Sequence, residues 1–337
     1  MVLIRRGWHV VALGLVLALA AACSKEEKKS ANPGDKTAEK GDTAGVASSG
    51  GAAVDDLTLL PLDSELVLGI NFAQVQQSAL WKQFVEPKLM SGEAQAKLAE
   101  FKAKCDFDPM ASFKTVSVGL KGLGGTKPDG IIVAHGIDKG KALACFDKMK
   151  PEIEKENGQI TKDGDVILGK GKNGDDFAMM FVNDNTGLMA LGSQANAAGV
   201  KAAAAGTSTL KSSPQFVDMY GKVKTSDSLW FLLNGNSKVF EKVAAMGIKP
   251  KAVFGSLNVT DGLSLDVRMR MESADAASQL ANMGKAQIQQ AAKMFDQIDV
   301  NADGSDVKFT VVLSSQKLQG LITQFSGMFG ALGGMGK

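Results

Sequence analysis

A short pattern that occurs twice constrains this chain more than any other feature. Ser64-Glu65-Leu66-Val67-Leu68-Gly69-Ile70-Asn71 can be laid over Asp227-Ser228-Leu229-Trp230-Phe231-Leu232-Leu233-Asn234: acidic or hydroxyl residues, an apolar strand, then an asparagine. Each copy leads into apolar residues at helical spacing, Val75, Leu80 and Phe84 in the first and Val239, Val243 and Met246 in the second. Lys114-Thr115-Val116-Ser117-Val118 is then matched by Lys251-Ala252-Val253-Phe254-Gly255. An order repeated in this way points to two similar units, and residues 57–337 are long enough to hold both.

The order continues through each half. Residues 130–137 read as a strand, and a helix from about Asp138 directs Leu143, Phe146, Met149 and Ile153 to a core, with Pro151 expected to kink or end it. In the second half, residues 263–271 read as a strand. The helix after Ser273 carries Ala277, Leu280, Gly284, Ile288, Ala291 and Phe295, a stripe of mostly small residues that lets a helix lie close on a sheet. Asp163-Gly164 and Asn183-Asp184-Asn185 are turn signals around strands at 166–168, 177–182 and 187–191, and Ala302-Asp303-Gly304 precedes an alternating strand at 307–313. Helices over 194–205 and 316–329 close the halves, and 214–223 is a helical connector. The expected fold is α+β: two related units, 57–212 and 213–337, of mainly antiparallel sheet covered by helices.

The amino-terminal part does not belong to that fold. Arg5 and Arg6 precede an uncharged run over 7–22 that ends in Ala20-Ala21-Ala22 before Cys23. The run is too short and too rich in alanine for a permanent span of ~20 residues, so 1–22 reads as a removed signal peptide. Between Cys23 and Asp56 there is no aromatic residue and only Val46 and Val54 as bulky aliphatics. Such a segment buries too little surface to offset its ordering entropy and is expected to be a disordered tether, with a root-mean-square span of roughly 30 Å.

The end of the leader resembles the lipobox of bacterial lipoproteins, a small-residue run before a cysteine. That resemblance implies that the Cys23 sulfur is diacylated and that cleavage makes it the new amino terminus. Ala20 stands where the family favours leucine, and Leu19 lies one residue further back. An ordinary secretory cleavage that leaves a free Cys23 thiol is the alternative. Ser24 resembles the outer-membrane sorting state of Gram-negative lipoproteins, so the expected location is the cell envelope, lipid-anchored at the outer membrane and facing the periplasm or the cell surface. The folded part, with Leu60-Pro61-Leu62-Asp63-Ser64 and then Leu80-Trp81, resembles uncharacterised exported bacterial proteins with a duplicated α+β unit. This second resemblance implies a topology and no activity.

Export bears on the two remaining cysteines. Cys105 and Cys145 form an even pair without C-x-x-C spacing, which reads as a structural disulfide and not as a redox centre. Closing that loop would destabilise the unfolded chain by about 4 kcal/mol.

Charge weighs against nucleic acid as a partner. The chain has 38 Lys+Arg and 36 Asp+Glu, and loss of Arg5 and Arg6 with the leader leaves 36 of each. Arg268 and Arg270 are then the only arginines, so bidentate clamps for phosphate or carboxylate are scarce.

Catalytic and metal motifs are weak throughout. Asp299, Asn301, Asp303, Gly304 and Ser305 fit the opening of a calcium loop, but Thr310 holds the place of the bidentate glutamate and the flanks look like strands, so a hairpin turn is expected. His135 is the only histidine left after the leader and sits on an apolar strand, which favours a satisfied core or edge residue over a ligand. The glycine-rich stretches 122–128 and 169–174 lack the order of a phosphate loop and read as strand connections. Asp175-Asp176 reads as solvated turn charge, and no G-x-S-x-G elbow occurs. Trp81 and Trp230 fall in the repeated elements and are expected in the core. The carboxy-terminal run 325–336 is apolar and methionine-bearing and is expected to dock on the domain.

These observations favour binding or scaffolding over catalysis, with no cofactor and no metal. The expected partners are the membrane, through the lipid, and an envelope protein or hydrophobic ligand. A carrier of lipid or another hydrophobic molecule is the alternative, and an envelope hydrolase a more distant one.

Overall fold

The computed structural model of the chain describes residues 55–123, 127–155, 158–171, 176–240 and 248–320. The leader, Cys23, the tether to Val54, Asp175, Val243, Met246 and the carboxy-terminal run lie outside the described residues, as do parts of both glycine-rich stretches and most of the helix expected over 316–329.

In chain order the described strands are β1 (Leu66–Asn71), β2 (Thr115–Lys121), β3 (Asp129–His135), β4 (Gln159–Asp163), β5 (Val166–Lys170) and β6 (Phe177–Asn183). They continue as β7 (Thr186–Leu191), β8 (Leu229–Asn234), β9 (Ala252–Asn258), β10 (Gly262–Arg270), β11 (Gln297–Asp303) and β12 (Asp306–Ser314). All lie in one sheet in the order β11-β12-β10-β9-β8-β1-β2-β3-β7-β6-β5-β4. Every neighbouring pair is antiparallel. The fold is α+β with a large antiparallel sheet, and its two arms meet where β1 pairs with β8.

That junction has a two-fold register. Leu68 lies opposite Phe231, Leu66 opposite Leu233 and Ile70 opposite Leu229. In the repeated pattern Leu66 answers Leu229 and Ile70 answers Leu233. Each copy therefore offers the other the same edge, as in an isologous interface. The match extends outward, because Leu66 pairs with Leu120 on β2 as Leu229 pairs with Leu257 on β9. His135 then faces Thr186 across β3 and β7 where Arg270 faces Asp306 across β10 and β12. The arms differ in the β4-β5 hairpin, which the first has before β6 and the second lacks before β11.

Side chains make room for one another at the junction. A Cβ at Gly69 would fall 2.1 Å from the indole of Trp230, its partner across the strands, so glycine is required for the ring to lie flat over β1. Trp230 is buried there as expected, whereas Trp81 is only half-buried in a helical turn at Trp81–Val85. The turn keeps one side of that ring at the surface.

The helices used below are α1 (Phe72–Gln77), α2 (Gly92–Cys105), α3 (Lys139–Lys155), α4 (Ala197–Ala205), α5 (Pro214–Tyr220) and α6 (Ala274–Ala291). Polar caps set their starts: Asn71 Oδ1 accepts from Gln74 N, Asn196 Oδ1 from Gly199 N, Ser213 Oγ from Phe216 N and Ser273 Oγ from Ala276 N. On one face of the sheet, Val67, Ile131, Val133, Leu188, Leu232 and Phe254 form a core with Leu60, Val200, Leu210 and Phe216 from the covering turns, α4 and α5. Strand alternation sends Ile70, Val116 and Val118 to the other face, where they are buried at the end on which α1 packs.

That second face also holds α6 over β11 and β12. Ala277 and Ala281 meet Val300 and Val307, and a Cβ on Gly284 would lie 3.1 Å from Val300 Cγ1, so the small-residue stripe does bring helix and sheet together.

α2 and α3 are joined by the disulfide between Cys105 and Cys145, whose Cα atoms are 4.5 Å apart, and by an ion pair of Lys104 with Glu152. The bond turns α3 so that Ala142 and Cys145 face inward, and the expected stripe of Leu143, Phe146, Met149 and Ile153 is only half-buried. Pro151 does not end α3, which runs on to Lys155. The carbonyl deprived of its donor belongs to Asp147, on an exposed turn where water can satisfy it.

Gly69→Val should destabilise the protein by about 1 to 3 kcal/mol, because a branched side chain must displace Trp230. The measurement is thermal unfolding followed by tryptophan fluorescence. An unchanged melting temperature would contradict the packing at β1 and β8.

Candidate functional site

Polar chemistry concentrates at equivalent places in the two arms. In the first, His135 Nε2 lies 2.7 Å from Asp56 Oδ1 and His135 Nδ1 lies 3.1 Å from Thr186 Oγ1. Both ring nitrogens have partners, and Thr186 is buried, so its hydroxyl is closed to a substrate. The cluster fixes the turn at Asp56–Thr58 to the sheet and offers no free nucleophile.

The second arm has a denser set of charges. Asp306, 1% exposed, accepts from Arg270 Nε at 2.7 Å, Arg270 Nη2 at 3.0 Å and Lys222 Nζ at 3.1 Å. Arg270 also donates to Asp218 on α5 at 2.8 Å, and its guanidinium carbon lies 5.4 Å from the centre of the Phe254 ring. Burial pushes the Asp306 carboxyl up, but the bonds from Arg270 and Lys222 outweigh it and hold the group below its ordinary value. Hydrogen bonding to Asp306 raises Arg270 further, against the penalty of burial. The Arg270 bond likewise lowers Asp218.

Matching registers show what this arrangement replaces. Ile131, Val133, Leu188 and Ala190 of the first arm occupy the places of Asp266, Arg268, Lys308 and Thr310 in the second. The first set is buried beneath α4 and its flanking turns. The second is tied by ion pairs, Lys308 to Asp266 at 3.0 Å and Arg268 to Asp303. One face of the sheet is thus apolar and covered in one arm and ion-paired in the other.

The residues of the calcium-like loop belong to this ion-paired face and to its turn. Asp299, Asn301 and Asp303 alternate along extended β11, Gln297 Nε2 donates to Asp299, and Gly304 takes the left-handed conformation of a hairpin turn at φ 58°. Strand geometry spreads the carboxylates along the edge and does not gather them around a cation. No group of three or more metal-ligating side chains occurs among the described residues.

The second face presents a different surface between α1 and α6. Leu66 and Leu68 on β1, Phe231 on β8, Val253 on β9, and Leu265 and Val267 on β10 all point to it and are half-buried. The first-face residues that alternate with them on β1, β8 and β9, Val67, Leu232 and Phe254, are fully buried. α6 reaches only to Met269 and Met271 at the end of β10, and among the described residues no helix packs closely along the rest. The alternating positions on β1, β8, β9 and β10 that form this stripe carry no charged side chain. It is an uncharged surface that the described elements leave partly open, and alternation at single positions gave no warning of it because each strand alone looks half-buried in the ordinary way.

The stripe ends near the last described helical residues. Leu318 is 9% exposed and lines a small cleft with Ala79, Leu80, Val259 and Gly262. Asp296 accepts from Ser314 N and pairs with Lys317, and these bonds hold its carboxyl at about 2. A second cleft lies at Pro61, Ser64, Gly119 and Gln194. Each encloses only about 10 Å³, room for about one water and not for a small molecule.

No family model matches the chain, and no curated protein matches it by sequence. The solved structure of crystal form III of TP0453 is similar in fold, with a TM-score of 0.51 over 81% of this chain and 100% of that one at 9% identity. That likeness supports the α+β architecture alone.

Acid should test the ion-paired face. Asp306, Asp218 and Asp303 titrate below the ordinary 3.8 when folded, so their stabilisation is complete above the unfolded value and is lost as pH falls through the lowered folded values. Melting temperature is expected to hold down to about pH 4 and fall below it. Asp306→Asn should cost about 3 kcal/mol near neutral pH and weaken the acid dependence. Identical acid profiles for the variant and the native protein would contradict the assignment.

Proposed function

We propose that the chain is a lipid-anchored envelope protein whose folded part binds a protein partner through the uncharged stripe across β1, β8, β9 and β10. The observation that carries this reading is the contrast between the two faces at the centre of the sheet, one sealed beneath α5 and its flanking turns and the other half-open and apolar. Apolar surface left open in this way is characteristic of interaction sites.

The location rests on sequence: Arg5, Arg6, the small-residue run and Cys23 make a lipoprotein-type leader, and the chain from Ser24 to Asp56 supplies reach from the lipid. The Cys105–Cys145 bond fits an oxidising compartment such as the periplasm. We read the matching registers of the two arms as an internal duplication, in keeping with the exported duplicated α+β proteins that the sequence resembles. An assembly or scaffolding role suits these features better than chemistry, since the His135 and Asp306 clusters are internally satisfied.

Native mass spectrometry of the protein extracted from membranes tests both parts. A diacylated mature mass beginning at Cys23 and a protein adduct are expected, and Cys23→Ser should release the chain from the membrane. A thiol left unmodified overturns the anchor. Co-purified lipid on the folded part, without a protein adduct, overturns the protein-binding reading in favour of a carrier.

A further inference from the structure

We infer that β11 is an assembly edge: it takes the β11 strand of a second copy of this chain in antiparallel register, making a symmetric dimer with one continuous sheet. The inference does not depend on the apolar stripe.

The first arm shows what this position takes. β6 and β11 answer each other, because Phe177, Ala178 and Met179 lie opposite Leu191, Ala190 and Met189 of β7 as Ile298, Asp299 and Val300 lie opposite Val311, Thr310 and Phe309 of β12. In the first arm β5 pairs with those same three residues, through Gly169, Leu168 and Ile167. The second arm has no such hairpin before β11, and among the described residues β11 ends the sheet. At the other end, Lys162 on β4 is tied to Asp147 on α3 at 2.6 Å.

Backbone direction fixes what β11 offers. Gly304 and Ser305 form a two-residue turn, so Asp303 and Asp306 are a hydrogen-bonded pair, and Asp303, Asn301, Asp299 and Gln297 turn their backbone groups to β12. Ile298, Val300 and Ala302 turn theirs away from the sheet. Two such edges join only when these three residues face one another.

Charge then selects one register. With Val300 opposite Val300 of the second copy, Ile298 faces Ala302, Asp299 faces Asn301 and Gln297 faces Asp303, and about six backbone hydrogen bonds form. Sliding by two residues sets Asp299 against Asp299 in one direction and against Asp303 in the other, and like charges directly opposite are unfavourable. The β1-β8 junction is the same device within one chain, two equivalent strands antiparallel about a central pair.

The helices fit this arrangement. α6 rests on Val300 of β11 and Val307 of β12 through Ala277 and Ala281. Seated over that pair of strands, the two copies of α6 would lie about 10 Å apart across the dimer axis, an ordinary packing distance.

The test is sedimentation velocity to about 100 µM, on the full-length mature chain carrying Cys23→Ser, which leaves no thiol outside the Cys105–Cys145 bond. A dimer is expected. Ala302→Pro should abolish it, since the lost amide faces outward and the bonds to β12 are kept. Asn301→Asp sets carboxylates opposite each other twice in the dimer and should raise the dissociation constant several-fold. Asn301 is exposed and lies opposite Lys308 on β12, so this change leaves the fold intact. Asp299→Asn combined with Asn301→Asp exchanges the two side chains and should bring the constant back. Near-ultraviolet circular dichroism checks the fold of each form, and the two charge variants carry the test without the proline. A monomer at every concentration overturns the inference, as does a dimer that persists in Ala302→Pro or one that Asn301→Asp weakens and the double variant fails to restore. The partner of the stripe is read separately, as a protein adduct in native mass spectrometry that Ala302→Pro leaves unchanged.

Discussion

The pairing of β1 with β8 is the contact on which the rest of the molecule depends. It joins two antiparallel arms that would otherwise each end in an open edge at this point, and it does so with five residue pairs centred on Leu68 and Phe231. An unpaired strand edge is an invitation to aggregation. Because the repeated segment presents the same edge in both copies, a single strand sequence satisfies both sides of the junction. Trp230 seals it from one face over Gly69, and Tyr220 on α5 meets the indole edge-on at 5.2 Å between ring centres.

From that centre the two arms diverge in how they treat equivalent positions. Ile131, Val133 and Leu188 gain stability by burial beneath covering elements. Asp266, Arg268 and Lys308 hold the same places without such a cover among the described residues and are tied by charge, with Asp306 as the most enclosed carboxylate. A buried carboxylate with three donors from two cations fixes register and angle, since removing any partner leaves an uncompensated charge. α5 is drawn into this network through Asp218 while its Phe216 and Met219 enter the apolar core, so one short helix reports to both arms.

Much of the fold was legible because its signals are local. The turn residues at Asp163-Gly164, Asn183 to Asn185 and Asp303-Gly304 sit at hairpins, and Ser273 caps the helix expected after it. The repeated strands were legible as equivalent elements, and the structure gives them equivalent registers, with Asn71 opposite Thr115 and Asn234 opposite Ala252. What escaped was set at long range. The inward turn of Cys145 follows from its bond to a cysteine 40 residues away. The passage of α3 through Pro151 depends on an exposed carbonyl, which spacing does not reveal. The continuity of the sheet through β1 and β8, and the Arg270–Asp306–Lys222 cluster, bring together residues from separate elements that no single window contains.

Native-state hydrogen exchange tests the central claim, that the arms form one cooperative sheet through β1 and β8. Amides of Leu68 and Phe231 should open with the same free energy as core amides of β3 and β9, giving one slowest-exchanging group that spans both arms. Rapid exchange confined to β1 and β8, with the flanking strands of the two arms protected independently of each other, would contradict it.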